Sequence, residues 1–515
     1  MFRPSIDLLL YNANVITLDK SYPRANWISS SQGRIHRFGN GQPPSSLVNN
    51  SARNVNCHGG TILPGFNDAH CHVLASAASA LAVDCGPKRV KSIDDIKSKL
   101  RAHSKGVSKG SWIRATGYDE FRLSEGRHPS KWDLDEVTID HPVKLVHRSG
   151  HAVVLNSAAL KMVSIDVRTG DPVGGYIDRH IETGEPTGLL LHMDDYLDGM
   201  IPMISRGELT EGIREFNNRC LAAGITSIQD ASVVNDLGRW NTFIDFKERD
   251  LITPSVTFMI GFDHMDDFLA HGLYAGYGSD DLRIGAVKLV VTTGERLSPN
   301  SEMLRESVEK VHRNGFQVAI HAIEVEAVEA SINAIKSCDD GCSLITRRHR
   351  IEHCSECPPN VVNSMADSGI VVVTQPGFVY YSGDRYISNV SANRQQWLYP
   401  VHSLRSAGVV VALSSDSPVI PLNPMMDLFA GVNRLTERGE LLLSHEAHPI
   451  EDLLAMYSYS GAHASFRENV TGSVVVGKKM DLVVLDNDPT SVDPVFIKDI
   501  NVLCTVVGGV IAWQR

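Results

Sequence analysis

GTILPGFNDAHCHV, residues 60 to 73, decides how the rest of the chain is read. An apolar β-type run opens it, and at its end two imidazoles, His70 and His72, stand one residue apart. Side chains of an extended strand alternate faces, so His70 and His72 point one way and Cys71 the other. A strand grips a metal ion in this way, although merely solvated histidines have the same spacing. Asp68 shares the parity. It is expected to hydrogen-bond a ligand imidazole from behind or to serve deeper polar packing.

Downstream, similar runs recur: GITSIQD (224 to 230), SVTFMIG (255 to 261), IGAVKLVV (284 to 291), FQVAIHA (316 to 322), HRIEHC (349 to 354), IVVVTQP (370 to 376) and VVVALSSDSP (409 to 418). They alternate with helical patterns such as Val325, Val328, Ile332 and Ile335, the rhythm of a parallel sheet with crossover helices. The expected fold is α/β, a (β/α)8 TIM barrel. Residues at about 75–220 break the rhythm and read as an insertion after the first strand, placed where insertions can cap an active-site mouth. Trp112, Tyr118 and Trp132 are expected to form its core. Both chain ends, IDLLLYNANVITL with WISSSQGRIHRFG and GSVVVGKKMDLVVLD with VLCTVVGGVIAWQ, have short β texture with glycine turns. They are expected to pair in a small β-sandwich domain, giving sandwich at 1–60, barrel at 61–465 and sandwich again at 466–515.

Hydrophobic content of 43% and charged content of 21% are those of an ordinary globular protein. The 49 basic and 60 acidic residues are dispersed along the chain and give a net charge of −11, which argues against a nucleic-acid partner and for a small-molecule substrate. No apolar run approaches the ~18–20 residues of a membrane span, so no membrane anchor is expected. Nine scattered cysteines suit reduced thiols in a cytoplasmic protein without disulfides. Cys338, Cys342, Cys354 and Cys357 have spacings that a structural zinc can use, but Cys354 straddles a strand end already occupied by His353.

In a barrel of this kind reactive groups lie at the C-terminal strand ends, where His70, His72, Lys288, His321, His353 and Asp416 fall. A lone strand-end histidine is usually structural. Four of them form a metal constellation for one or two divalent ions, with zinc the expected ion, and an open coordination position activates water. An unpaired buried ammonium is costly, so Lys288 is either a surface or salt-bridged lysine or, carbamylated by CO2, a carboxylate able to bridge two metals. Asp416 has the chemistry of a general base, although Asp before Ser-Pro also makes turns.

His-x-His after LPGFNDAH, then lysine, His in IHAI, His in RIEH and Asp in SSDSP resembles the metal-dependent amidohydrolase superfamily. Within it the chain resembles the branch, amidohydrolase family 3, that includes N-substituted formamide deformylases. The resemblance runs from LLLYNANVITLD to MDLVVLD. It implies a β-sandwich beside a distorted TIM barrel, and ligand or catalytic roles for His70, His72, Lys288, His321, His353 and Asp416. His151, in RSGHAVVLN, is similar to a position near the substrate; alone it reads as a satisfied loop histidine. Two departures border the site: Val291 to Gly294 replace the branch's Asp-Gly, and Glu324-Val325 replace its Gly-Asp. The implied activity is hydrolysis of a non-peptide C–N bond in a small amide, formamide or cyclic amide. Ester or lactone hydrolysis, decarboxylation and a metal-free regulatory barrel are the alternatives, and a homodimer is compatible with the sequence.

Overall fold

A computed structural model describes residues 6–515 apart from 173, 198, 203, 294–295, 339–343 and 367. The chain forms two compact units, Met1–Val73 with Asn217–Arg515, and Leu74–Phe216.

In the first unit eight strands lie in chain order in one sheet: β1 (Phe66–Cys71), β2 (Ile225–Asp230), β3 (Ser255–Gly261), β4 (Leu282–Val290), β5 (Val318–Ala322), β6 (Arg350–His353), β7 (Val371–Thr374) and β8 (Val410–Leu413). Every neighbouring pair is parallel. Strands covered on both faces need continuous apolar runs, and β-branched residues supply them; Val371, Val372 and Val373 of β7 are all buried. The crossovers are amphipathic helices. Ser301–Arg313 starts where the Asn300 carboxamide accepts the N–H groups of Glu302 and Met303, and buries Leu304, Val308 and Val311. Val325–Lys336 buries Val328, Ile332 and Ile335, each contributing about 1.5–3 kcal/mol over an exposed position. The result is a nearly closed TIM barrel.

Among the described residues β8 and β1 share no ladder. The seam is sealed just beyond their ends: the Asp416 N–H donates to the His70 carbonyl and the His72 N–H to the Ser417 carbonyl, each at 2.9 Å. The Asp68 carboxylate adds two bonds across the gap, accepting from Ser415 N at 2.9 Å and Ser415 Oγ at 2.5 Å.

The two chain ends interleave. One sheet has the order Arg34–Gly39, Trp27–Ser31, Ile6–Tyr11, Ser51–Asn56; the other runs Val510–Gln514, Val502–Val507, Leu482–Leu485, Thr61–Pro64, Asn14–Ile16, Arg24–Ala25. Leu482–Leu485 pairs antiparallel with Thr61–Pro64, and Leu8, Val15, Ile28, Ile62, Leu482, Val484 and Val506 share one apolar cluster. Contacts do not set these sheets apart; they belong to the unit that holds the barrel. Gly224 shows how tightly they meet it. Its φ is +77°, and a Cβ there would lie 2.5 Å from the Val483 side chain.

The second unit carries a six-stranded mixed sheet with an apolar cluster around Tyr118, Ile96 and Val143 and another around Leu155, Leu160 and Leu190. Asn156 explains the GHAVVLNSAAL stretch. It is buried, accepts the N–H groups of Val143 and Ala159, and donates to the carbonyls of Thr138 and His141. Of the expected aromatic core, Tyr118 is fully buried and Trp112 packs at the edge of a cluster, whereas Trp132 is 41% exposed. Its ring lies under the Lys131 ammonium, a partial cover in place of burial.

None of the eight described cysteines is in a disulfide; Cys342, part of the expected four-cysteine group, lies outside the described residues. No helix among the described residues is long and apolar enough to cross a membrane.

Candidate metal centre

Strand β1 does not alternate cleanly. Between Asp68 and Cys71 it spends three steps where β2 spends two, from Ile228 to Asp230, a bulge that re-aims the side chains on either side. Of the two expectations for Asp68 the structure shows the second, deeper polar packing: its carboxylate bonds Ser415 and the His70 backbone N–H rather than an imidazole. The imidazole of His70 finds another carboxylate: its Nδ1 lies 2.5 Å from Glu352 Oε2.

Glu352 is fully buried and also accepts from Arg350, at 2.5 Å from Nε and 3.0 Å from Nη2. The remaining Arg350 donors reach Gln229 Oε1 at 2.6 Å and the Ala69 carbonyl at 2.7 Å. Satisfied on every side, this buried pair fixes the His70 ring and its tautomer, with Nδ1–H given to Glu352 and the Nε2 lone pair turned into the site. At the next strand end, Gln375 Oε1 lies 2.9 Å from His353 Nδ1, so the His353 ring is held in the same manner. Neither Glu352 nor Gln375 stands out by spacing; the signal was a polar residue inside each of the apolar runs RIEH and VVVTQP.

Backbone geometry brings His353 in. Glu352 faces the barrel interior, and strict alternation would send His353 to the other face. His353 and Cys354 instead have φ of 70° and 49°, left-handed values that break the pleat, and Asp416 does the same at 56°. Each non-glycine residue held there costs about 1–3 kcal/mol, a strain that concentrates at functional sites.

The structure thus gathers His70, His72, Lys288, His321, His353 and Asp416. The His353 ring lies 4.8 Å from that of His70 and 4.4 Å from that of His321, and His70 and His72 are 5.3 Å apart, centroid to centroid. Asp416 Oδ1 sits 3.2 Å from His72 Nε2 and 3.5 Å from His70 Nε2. Lys288 is buried on β4, in the field of the Glu352 and Asp416 carboxylates. His151 belongs to the other unit, where its ring packs 5.0 Å from that of His192.

Burial pushes His70 well below its ordinary pKa, with Lys288 adding to the push and Asp416 opposing it. Burial and the neighbouring His353 do the same to His321, and burial lowers His353. Neutral imidazoles offer lone pairs, as metal ligation requires. Burial alone would raise Asp416, but His72, His353 and His70 draw its carboxyl well below the usual range, so it is an anion. Burial pushes the Lys288 ammonium down to about 8.

The donor set fits a cation. His70 Nε2, Asp416 Oδ1 and Lys288 Nζ are buried without a hydrogen-bond partner, and ligand-type atoms of His70, His72 and Asp416 lie within 4.8 Å of one another. An anionic oxygen facing an imidazole lone pair at 3.5 Å is repulsive unless a positive charge stands between them.

Comparison with known proteins shows the family. Residues 53–512 match the model described as the amidohydrolase family. The chain is 29% identical over 547 residues to N-substituted formamide deformylase of Arthrobacter pascens, covering 99% of this chain and 98% of that protein. It is 28% identical to Protein LONG AFTER FAR-RED 3 of Arabidopsis thaliana, covering 98% and 91%. In backbone it is similar to an uncharacterized metal-dependent hydrolase from Pyrococcus horikoshii OT3, with TM-score 0.76 and 22% identity over 95% of this chain and 99% of that one.

Proposed function

Because the chain belongs to the amidohydrolase family, we propose that it hydrolyses a non-peptide C–N bond of a small amide, formamide or cyclic amide with water activated at the β1–β8 seam. The observation that carries this reading is the convergence of the His70, His72 and Asp416 donor atoms, two of them buried without hydrogen-bond partners. The likeness to N-substituted formamide deformylase supports a C–N substrate and puts formamides first among the candidates.

His70, His72, His321 and His353 are the residues that would hold a divalent ion, zinc being one that imidazoles suit. Such an ion supplies a Lewis acid for the substrate carbonyl and lowers the pKa of water. Glu352 and Gln375 keep the His70 and His353 rings oriented. Asp416, an anion at neutral pH, takes the proton as the water oxygen bonds to the carbonyl carbon, and returns it to the nitrogen as the C–N bond breaks. Its left-handed backbone and the hydrogen bond from its N–H to the His70 carbonyl hold Oδ1 beside the His70 and His72 imidazoles. Lys288 is poised for carbamylation: a buried amine with a lowered pKa presents enough free base to add to CO2, releasing one proton and giving an anionic carbamate that admits a second ion. His151 is assigned to the substrate on the resemblance of RSGHAVVLN alone.

The test is metal analysis of the purified protein followed by a panel of formamides, amides, cyclic amides and matched esters, before and after chelation. Turnover of C–N substrates that chelation abolishes and zinc restores is expected. Turnover of the esters alone, or C–N turnover indifferent to chelation, would overturn the assignment.

A further inference from the structure

His70 is held by Glu352 and His353 by Gln375, whereas His72 is held by a different device at the end of β2. Its Nδ1 lies 3.3 Å from Ser232 Oγ. That hydroxyl donates to Asp230 Oδ1 at 3.1 Å, so its one proton is committed to a carboxylate oxygen. What the hydroxyl has left for His72 is a lone pair. Nδ1 therefore carries the ring proton and donates it to Ser232, and the Nε2 lone pair faces the side where Asp416 Oδ1 stands 3.2 Å away.

Asp230 is placed to hold that hydroxyl. It closes β2, is fully buried, and takes three donors on its two oxygens: the Val73 N–H at 2.9 Å and the Ser232 hydroxyl on Oδ1, and Asn235 Nδ2 at 2.7 Å on Oδ2. Asn235 Nδ2 also donates to the Met259 carbonyl of β3 at 2.8 Å. Val73 follows His72 in the chain, so one carboxylate fixes both the backbone just past the imidazole and the hydroxyl that the ring addresses. A hydroxyl whose proton is given to a carboxylate gathers electron density on its oxygen, and the bond it accepts from Nδ1–H strengthens. Through the ring, that makes Nε2 a better donor of its own lone pair.

We propose that Ser232 and Asp230 are positioning residues for the metal centre, a hydroxyl–carboxylate relay that sets the His72 tautomer and orients its ring for a divalent ion; this role rests on the reading of His72 as a ligand. The His72 side chain is 29% exposed where that of His70 is 1% exposed, so its ring has less packing to orient it and depends more on the relay. The same exposure lets water replace part of what the relay supplies. Its contribution to zinc affinity is therefore about tenfold, the low end of the range for the partners of ligating imidazoles.

The experiment uses the full chain, stripped with chelator and titrated with Zn2+ against a chromophoric competitor. Ser232→Ala should weaken zinc binding about tenfold, and Ser232→Thr, which keeps the hydroxyl, should restore it. In zinc-loaded protein carrying isotopically labelled histidine, the His72 Nδ1–H resonance, assigned by its absence in His72→Gln, should be protected from exchange in wild type and the threonine variant and lost in the alanine variant. Asp230→Asn should also weaken binding, and by much less in the Ser232→Ala background, where no hydroxyl links it to the ring. Should Asp230→Asn misfold, the Ser232 pair decides alone. Zinc affinity unchanged by Ser232→Ala, or lost without rescue by threonine, would overturn the relay. Equal losses from Asp230→Asn in both backgrounds would do the same, leaving Asp230 as a support of the Val73 backbone only. A chain that takes up no zinc in any form defeats the reading of His72 as a ligand and the relay with it, a failure visible in wild type before any variant is compared.

Discussion

Glu352→Gln isolates the group that holds His70 in place. The two side chains have the same size, so the substitution leaves no cavity, and its whole effect is electrical. Glu352 is fully buried and accepts from Arg350 Nε at 2.5 Å, Arg350 Nη2 at 3.0 Å and His70 Nδ1 at 2.5 Å. A carboxamide has one acceptor oxygen and one donor nitrogen, so whichever way it turns an N–H meets another N–H. The Arg350 guanidinium, itself fully buried, also loses its counter-charge. Breaking a buried pair by removing one partner costs about 3–5 kcal/mol. Arg350 keeps its bonds to Gln229 at 2.6 Å and to the Ala69 carbonyl at 2.7 Å, which puts the expected loss at the lower end, about 3 kcal/mol. Urea unfolding of chelated protein measures this term without the metal. Zinc retention measures the second effect, a fall of about 10–100-fold in affinity, because the His70 ring loses the partner that fixes its tautomer. A variant within about 0.5 kcal/mol of wild type, the scale of an ordinary surface substitution, that also retained zinc normally would refute the role given to Glu352.

Asp416→Asn keeps the shape and an oxygen but cannot accept a proton near neutral pH; metal content should persist while turnover falls by about two to four orders of magnitude, and near-normal turnover would leave Asp416 as a turn residue only. His70→Ala and His72→Ala should each strip the barrel centre of metal and activity together, read as zinc equivalents lost per chain alongside the rate. Deleting residues 1–55 removes Leu8, Leu10, Val15 and Ile28 from the cluster they share with Leu482 and Val484, so the truncated chain should be insoluble; a soluble, monodisperse product on size-exclusion chromatography would contradict a core built from both ends.

The barrel was legible because its signal is local. A strand buried on both faces must be apolar along its length, and every such run from GITSIQD to VVVALSSDSP is a strand of the sheet. The histidines at their ends were legible for the same reason, since a polar residue closing an apolar run marks where the barrel meets solvent. What parity left open was facing. It allowed Asp68 either a ligand imidazole or deeper polar packing, and with the bulge in β1 its carboxylate takes the second, clasping Ser415. No local pattern announces a bulge, because it is selected by what the neighbouring strand requires. Parity likewise would have excluded His353, which a left-handed φ restores. Glu352 and Gln375 were hidden by distance in sequence: their roles exist only through His70 and His353. Trp132 misled because aromatic character predicts contact, and the Lys131 ammonium lies over that ring where a core was expected.

The seam between β1 and β8 makes the centre a late event in the life of the chain. His70 lies near the start of the barrel and Asp416 near its end, and the two backbone hydrogen bonds of the seam, Asp416 to His70 and His72 to Ser417, form only when the first and last strands are in place. A ribosome-bound or half-refolded chain can present His70 and His72 but not the carboxylate and the strand-end imidazoles that complete the set. Because long-range contacts pay their loop-closure entropy before they are rewarded, this junction is the natural last step of assembly. In a refolding experiment with zinc added, any zinc capture should trail the recovery of helical signal, arriving with the final closure of the ring.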